Sequence, residues 1–174
     1  MDLIMRTLLE DIDAYIDGTP TAKRRISVFL FNPGAHLIFS FRISKFLHRR
    51  RALRPLSKII WYLNTIIFSC YISPKSIIGR APIFPHPVGI VIGEGAKIGD
   101  NVTVYQHVTL GRQSSNADGY PTIGSGVTIY TGAIIVGKTY IGDNCIVGAN
   151  ALILHSMEAG SAALSPISTI RQIK

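Results

Sequence analysis

The chain lacks several features that would narrow its class at once. It has two cysteines, Cys70 and Cys145, in 174 residues, too few and too far apart for a disulfide framework. The N-terminus, Met1-Asp2-Leu3-Ile4-Met5-Arg6, runs into acidic residues and not into an apolar segment, so it does not read as a signal peptide. The expectation is a cytoplasmic protein that at most reaches the inner face of the cell membrane. Without secretion, the glycosylation-like triplet Asn101-Val102-Thr103 carries no meaning. The longest apolar run, Ile59 to Ile72, falls short of the roughly 18 residues that a spanning helix needs, and reads as a buried helix. No P-loop or dinucleotide fingerprint occurs.

Acidic residues are also scarce, with 10 Asp and Glu against 18 Lys and Arg, a formal charge of +8. Much of the excess is crowded into Arg42, Lys45, Arg49, Arg50, Arg51, Arg54 and Lys58. A solvated helix face accounts for such a cluster. The functional reading is attraction to an anionic membrane surface or a lipid-linked acidic substrate. Nucleic acid is not expected as a partner, because no recognition motif accompanies the charge. The apolar fraction is ordinary for a globular protein and supports a substantial core.

What the chain does have is a period. An aliphatic or aromatic residue returns every six positions: Ile72, Ile78, Phe84, then Ile92, Ile98, Val104, Leu110, then Ile123, Ile129, Ile135, Ile141, Val147 and Ile153. Gly often follows, as at Gly79, Gly93 and Gly99, and a mostly small residue stands four positions on, as at Ser76, Ala96, Ala133 and Cys145. Six fits neither a helix nor a two-faced strand. It fits a parallel β-helix of hexapeptide repeats, each repeat one side of a coil. The period breaks twice. Phe84 to Ile92 contains two residues too many and includes Pro85-His86-Pro87, while Leu110 to Ile123 contains seven too many, in the polar stretch Arg112 to Pro121. Insertions in a solenoid leave the stack as loops, often on the binding face.

Before the repeats, helical spacing recurs. Residues 1–17 read as an amphipathic helix and Lys23–Leu30 as a second helix or turn ended by Asn32-Pro33-Gly34. A third helix is expected from Ala35 to about Arg50, and a fourth opens at Arg54-Pro55 and runs towards Tyr71. The expected organisation is an α-helical region over 1–71, a β-helix over 72–158 and a tail over 159–174 that caps the last coil.

The segments Ile72-Ser73-Pro74-Lys75-Ser76-Ile77-Ile78-Gly79, Phe84-Pro85-His86-Pro87-Val88-Gly89-Ile90-Val91-Ile92-Gly93-Glu94 and Tyr105-Gln106-His107-Val108-Thr109-Leu110-Gly111 resemble the catalytic coils of the serine O-acetyltransferases and their polysaccharide-modifying relatives. The resemblance runs from about Asn32 to the last coil. It implies a mainly β fold, a left-handed parallel β-helix with an N-terminal α-helical region, a homotrimer, acetyl-CoA as donor and a hydroxyl acceptor. Handedness comes from this resemblance and not from the period.

His86 is the expected catalytic residue. Acetyl transfer from a thioester to an alcohol requires removal of the hydroxyl proton as the oxygen attacks, and histidine is the natural base near neutral pH. Its two flanking prolines stiffen a loop that ejects it from the prism. Left as a surface histidine it would mean nothing; the matching motif makes it the base. His107, one coil later, is expected to contact substrate or serve structure. His36, His48 and His155 have no such context. A zinc site is not expected, because His86 and His107 lack a nearby third ligand.

Three positions depart from the serine-specific pattern that the resemblance implies. The aspartate expected to orient the histidine is Tyr71, a second aspartate is Pro85, and a histidine of the large loop is Tyr120. A free amino acid is zwitterionic and draws binding energy from ionic partners, whereas a sugar is held by hydrogen bonds and aromatic faces. The expected acceptor is therefore a saccharide hydroxyl of a bacterial surface polysaccharide, touched by Tyr71, Glu94, His107 and Tyr120, with Glu94 also the nearest carboxylate in sequence to His86. L-serine is the alternative, and a non-catalytic scaffold or a zinc hydratase would be different classes. By the same resemblance, CoA lies in a groove between subunits, with Gly111, Thr131 and Ala149 allowing close approach. Lys138, Arg112, Arg171 and Lys174 are candidates for its phosphates.

Overall fold

A computed structural model describes residues 2–114 and 119–166, with side chains from Met5 onward. Four helices lead into thirteen short strands: α1 (Asp2–Asp13), α2 (Ala22–Phe31), α3 (Pro33–His48), a 3-10 turn (Arg51–Leu53), α4 (Arg54–Phe68), and then β1 (Tyr71–Ile72) to β13 (Ala162–Ala163).

The strands form three parallel faces. The first stacks β1, β3 (Val91–Ile92), β6 (Thr109–Gly111), β9 (Ile134–Val136) and β12 (Leu152–Ile153). The second stacks β2 (Ile77–Ile78), β4 (Lys97–Ile98), β7 (Thr122–Ile123) and β10 (Tyr140–Ile141). The third stacks β5 (Thr103–Val104), β8 (Thr128–Ile129), β11 (Ile146–Val147) and β13. The chain visits the faces in that order, coil after coil. All thirteen residues of the six-residue register are buried, with at most 7% exposure at Ile153, and so are the small residues four positions on. Each inward residue pairs with its counterpart a coil away, as Ile92 with Leu110 and Leu110 with Ile135. The interior is thus one continuous apolar column.

Glycine is demanded most clearly at the corner between the second and third faces. A Cβ on Gly79 would overlap the carbonyl of Gly99, one on Gly99 the backbone of Gly124, and one on Gly124 that of Gly142 and Asp143. Close approach of coil to coil, not an unusual φ, is the reason. The tail continues the stack: Met157 bridges to Ile141 and β13 pairs with β11, while residues 167–174 lie outside the described residues.

Two expectations about the helices need correction. Asn32 ends α2 as expected, but α3 starts at Pro33, ahead of Ala35, with no loop between. The Asn32 backbone N–H donates to Val28 and caps α2, while its side chain accepts from Ala35 N at 3.0 Å and starts α3 with Pro33 in the first turn. The break therefore costs no loop, and α2 meets α3 at 85°. The second correction concerns Ile59 to Ile72, which was expected to be buried. On α4, Ile59, Tyr62, Leu63, Ile66 and Ile67 are exposed, and the buried residues are Ser57 and Asn64. The reason is polar pairing with α3. The Ser57 hydroxyl donates to the Ser44 carbonyl (2.8 Å), the Ser44 hydroxyl donates to the Ser57 carbonyl (3.0 Å), and the Ser40 hydroxyl donates to Asn64 Oδ1 (2.7 Å). The helix pair is polar at its seam and apolar outside.

The helices dock on the first coil through Leu37, Ile38 and Phe41, which join its apolar core, and through a largely buried ion pair. Arg42 Nε lies 2.8 Å from Asp11 Oδ2, and Arg42 also donates to the carbonyls of Ile78 and Gly79. Asp11, 1% exposed, further accepts from Ala81 N at 2.9 Å. Tyr15, whose hydroxyl burial pushes well above its ordinary pKa, accepts from Phe84 N at 3.0 Å. These contacts set where the chain enters the corner that carries His86. Asp11→Ala leaves the Arg42 charge buried and unpaired, and unfolding in denaturant should show a loss of about 3–5 kcal/mol.

Lys45 supplies a pH-dependent contact at the same junction. It donates to the Ser76 carbonyl, and burial first, then Arg49 and Arg42, lower its pKa from the ordinary 10.5 to about 8. The folded protein releases this proton before the unfolded chain does, so stability rises with pH from about 8 to 10.5. The thermal midpoint should climb across that window relative to Lys45→Met, which lacks the titration.

Candidate active site

Most of the candidate side chains gather at two corners of the prism, one on each side of the first face. The corner between the third and first faces holds Pro85-His86-Pro87-Val88-Gly89 in its upper coil. Below it come Tyr105-Gln106-His107, then Tyr130-Thr131-Gly132, then Gly148-Ala149-Asn150. Backbone hydrogen bonds tie these levels together: His107 N donates to Val88 O (2.9 Å), Gly132 N to Gln106 O (3.0 Å) and Asn150 N to Thr131 O (2.8 Å). His86, Thr131 and Ala149 thus share one corner. The two extra residues before Ile92 push His86 outward, where it is exposed, while Ile90 turns back into the core at 0% exposure.

His86 faces Tyr105 at 6.3 Å between ring centroids, and Tyr105 stacks on Tyr130 at 5.1 Å and 18°. An imidazole therefore heads a ladder of two phenol rings. His107 occupies a left-handed conformation (φ 60°), as do Gly89, Gly132 and Asn150 at the same corner. A side chain there is strained unless its surroundings hold it. The His107 ring lies against Gly89, where a Cβ would overlap its Nδ1, so His107 braces the loop that carries His86. Gln106, between these levels, has its side-chain oxygen buried without a hydrogen-bond partner among the described residues.

The second corner, between the first and second faces, holds the other candidates. Glu94 is taken by Lys75 at 2.6 Å and by Arg112 at 3.5 Å, and the hydrogen bond and charge of Lys75, with Arg112, hold its carboxyl below the usual range. Tyr120 lies across the backbone of Gly93 and Gly95, where a Cβ on either would overlap its ring, and Arg112 sits 4.9 Å above that ring. Tyr120 thereby fastens the large loop to the coil above it. Lys138 is exposed and packs its stem on Gly119 at the foot of the loop. Gly111 faces open space: the nearest atom to a Cβ there is Thr109 Cγ2 at 3.8 Å. Packing within the chain does not require glycine at that point, and close passage of a ligand would.

Tyr71 stands at the top of the first face, 46% exposed, with Trp61 of α4 edge-on to it at 5.1 Å. The structure thus groups His86, His107, Thr131 and Ala149 at one corner, groups Glu94, Tyr120, Lys138 and Gly111 at the other, and sets Tyr71 above the face between them. Arg171 and Lys174 lie outside the described residues. Among the described residues, no cluster of three His, Cys, Asp or Glu has the arrangement of a metal site.

Tyr105, Tyr130 and Gln106 were not singled out from the sequence. The signal was present for the tyrosines: each directly follows an inward residue, Val104 or Ile129, at a register position that most coils fill with glycine. Nothing in the sequence marks the unpaired oxygen of Gln106, which depends on what packs around it.

The bacterial transferase hexapeptide family (six repeats) matches residues 120–155. Together with the stacked coils and an outward histidine at a corner, this defines a hexapeptide-repeat acyltransferase with a left-handed β-helix. A serine acetyltransferase of Helicobacter pylori is 34% identical over 164 residues, covering 92% of this chain and 94% of that protein. One from Bacillus subtilis is 35% identical over 156 residues, covering 89% of this chain and 71% of its own length. Among solved structures, a serine acetyltransferase in complex with cysteine has a TM-score of 0.85 at 28% identity, covering 99% of this chain and 67% of that one. Isoform 3 from Entamoeba histolytica, also in complex with cysteine, has a TM-score of 0.83 at 31% identity, covering 99% and 61%. The chain belongs to the serine acetyltransferase family and is an acetyl-CoA-dependent O-acetyltransferase.

The seat of Tyr120 on two glycines can be tested directly. Gly95→Ala puts a methyl group into the ring and should lift the large loop from the coil, at a cost of about 1–3 kcal/mol. Limited trypsin digestion should then cut after Arg112 faster than in the unmodified chain.

Proposed function

We propose that His86 is the general base of O-acetyl transfer to an uncharged saccharide hydroxyl. The observation that carries this reading is the composition of the corner: an exposed imidazole above two stacked tyrosines, with the nearby carboxylate of Glu94 engaged by Lys75 and Arg112 at the other corner. Aromatic faces with hydroxyl edges suit a sugar ring. The positions where the family resemblance implies ionic partners for serine are Tyr71, Pro85 and Tyr120.

Acetyl-CoA supplies a thioester carbonyl as electrophile and a sulfur as leaving group. His86 takes the proton of the acceptor hydroxyl as its oxygen bonds to the carbonyl carbon. As the carbon–sulfur bond breaks, His86 returns that proton to the sulfur, so the products are the O-acetyl ester and the free thiol. Among the described residues no Ser or Cys stands beside the His86 ring, which favours direct transfer. The open space at Gly111 suits the close passage of a pantetheine arm. Gly111 and Lys138 sit on one side of the first face and Thr131 and Ala149 on the other. A homotrimer that sets the His86 corner of one subunit beside the loop corner of the next would unite both sets, and this is the assembly proposed.

A second reading, L-serine as acceptor, is favoured by the relatives, which are serine acetyltransferases over nearly the whole of this chain. Overall likeness reports the fold and the chemistry; acceptor choice rests on a few side chains, and Tyr71, Pro85 and Tyr120 stand where the family resemblance implies ionic partners for serine. Thiol release from acetyl-CoA separates the readings. Turnover is expected with neutral oligosaccharides and not with free L-serine, and efficient turnover of serine would overturn the saccharide reading. With the active acceptor, His86→Ala should lower kcat by about 10²–10⁴ while leaving the melting temperature near that of the parent chain.

A further inference from the structure

The outward apolar stripe of α4 is not explained by acetyl transfer. We infer that this face, with the exposed apolar residues of α2, docks on an anionic lipid bilayer. The stripe includes Leu56, Ile59, Leu63, Ile66 and Ile67, exposed by 46–67%. On α2, Ile26, Leu30 and Phe31 are exposed by 61, 55 and 79%, and none of that helix is buried. Between the helices runs an apolar groove of 470 Å³, lined by Phe29, Phe39, Ile60 and Phe68 among others. The polar side chains that usually face water, Ser57 and Asn64, are instead turned inward onto α3. Polar bonding at the helix seam with apolar side chains outside is the arrangement of helices that meet lipid.

Charge selects the occupant. Arg50, Arg51, Arg54 and Lys58 are exposed at the N-terminal end of α4, where the stripe begins. Between Gly18 and Gly93 the sequence contains no Asp or Glu, while Lys and Arg recur throughout. A second copy packed on this patch by the same patch would therefore bring cations against cations, with no carboxylate in the same stretch to meet them. A surface of anionic headgroups over acyl chains complements both the rim and the stripe. No described helix is by itself long and apolar enough to cross a membrane, so the contact lies along the surface, with the helix axes in the plane and the basic side chains reaching the headgroups.

The inference is independent of the acceptor, because binding and transfer are read separately. The test uses the purified full-length chain and vesicles of phosphatidylcholine, with or without about a third phosphatidylglycerol. Flotation is expected with the anionic vesicles, weakening as salt rises, and not with phosphatidylcholine alone. Neutralising three cations (Arg50→Gln, Arg51→Gln, Arg54→Gln) should weaken binding on the order of a hundredfold, at about fivefold per charge. Leu63→Ser with Ile67→Ser, both at exposed positions, should abolish flotation while leaving the circular dichroism and the acetyltransferase activity in solution unchanged. Two results would overturn the proposal. One is failure of the unmodified chain to float with anionic vesicles. The other is a stable oligomer that Leu63→Ser with Ile67→Ser dissociates, which would assign the face to a second copy.

Discussion

The structure depends on one constraint: each coil must lay its inward side chains on those of the coil before it. A repeat of six residues per side keeps every aliphatic residue on the one below, from Ile72 to Ile153, and leaves the backbone hydrogen bonds of each strand to the coils on either side. Excess residues cannot stay in such a prism without turning inward side chains outward. They must leave at a corner and rejoin in register. The extra pair before Ile92 and the extra seven before Ile123 do so, and the first ejects His86. The site is a consequence of stacking: the same rigidity that fills the core holds an imidazole at a corner in a fixed place.

The helical region follows a different rule and fixes where that corner begins. Asp11, Tyr15 and Arg42 bond to the backbone of residues 78–84, so that α1 and α3 clamp the first coil one residue ahead of the His86 loop. Burial of an ion pair alone is weak evidence for stability; here the remaining donors of Arg42 are used on two carbonyls, which compensates the loss of water. The outer helix reverses the usual pattern. In the β-helix the residues of the six-residue register turn in, whereas α4 turns Ser57 and Asn64 in and most of its leucines and isoleucines out. One chain thus presents two surfaces suited to different neighbours.

The relation to serine acetyltransferases separates chemistry from recognition. Transfer of an acetyl group needs a base, an electrophile and a channel for a long donor, and the family scaffold provides for these. Recognition of the acceptor lies in side chains that the scaffold does not require. Tyr71 turns to Trp61, Tyr120 lies on glycine backbone, and Glu94 is neutralised by two cations. Within one subunit the rings beside His86 are those of Tyr105 and Tyr130, while the charged groups of Glu94, Lys75 and Arg112 stand at the other corner.

The sequence by itself determined the β-helix, its register, both insertions and the histidine at the first of them, because a strict period of six leaves few ways to bury every sixth residue. The class of chemistry was legible for the same reason: the motifs that resemble the acetyltransferase coils are local in sequence. Tertiary structure alone decided which candidates meet. Glu94 follows His86 by eight residues yet lies beyond a strand of the first face, while Tyr130, 44 residues from His86, joins its ladder through Tyr105. It also decided which side of α4 faces out. Helical spacing puts polar and apolar stripes on opposite sides, but burial goes to the stripe that finds partners, and the hydroxyls of Ser40 and Ser44 on α3 gave that place to Ser57 and Asn64. Short-range pattern fixes the form of each element; which face is covered depends on a neighbour that the pattern does not contain.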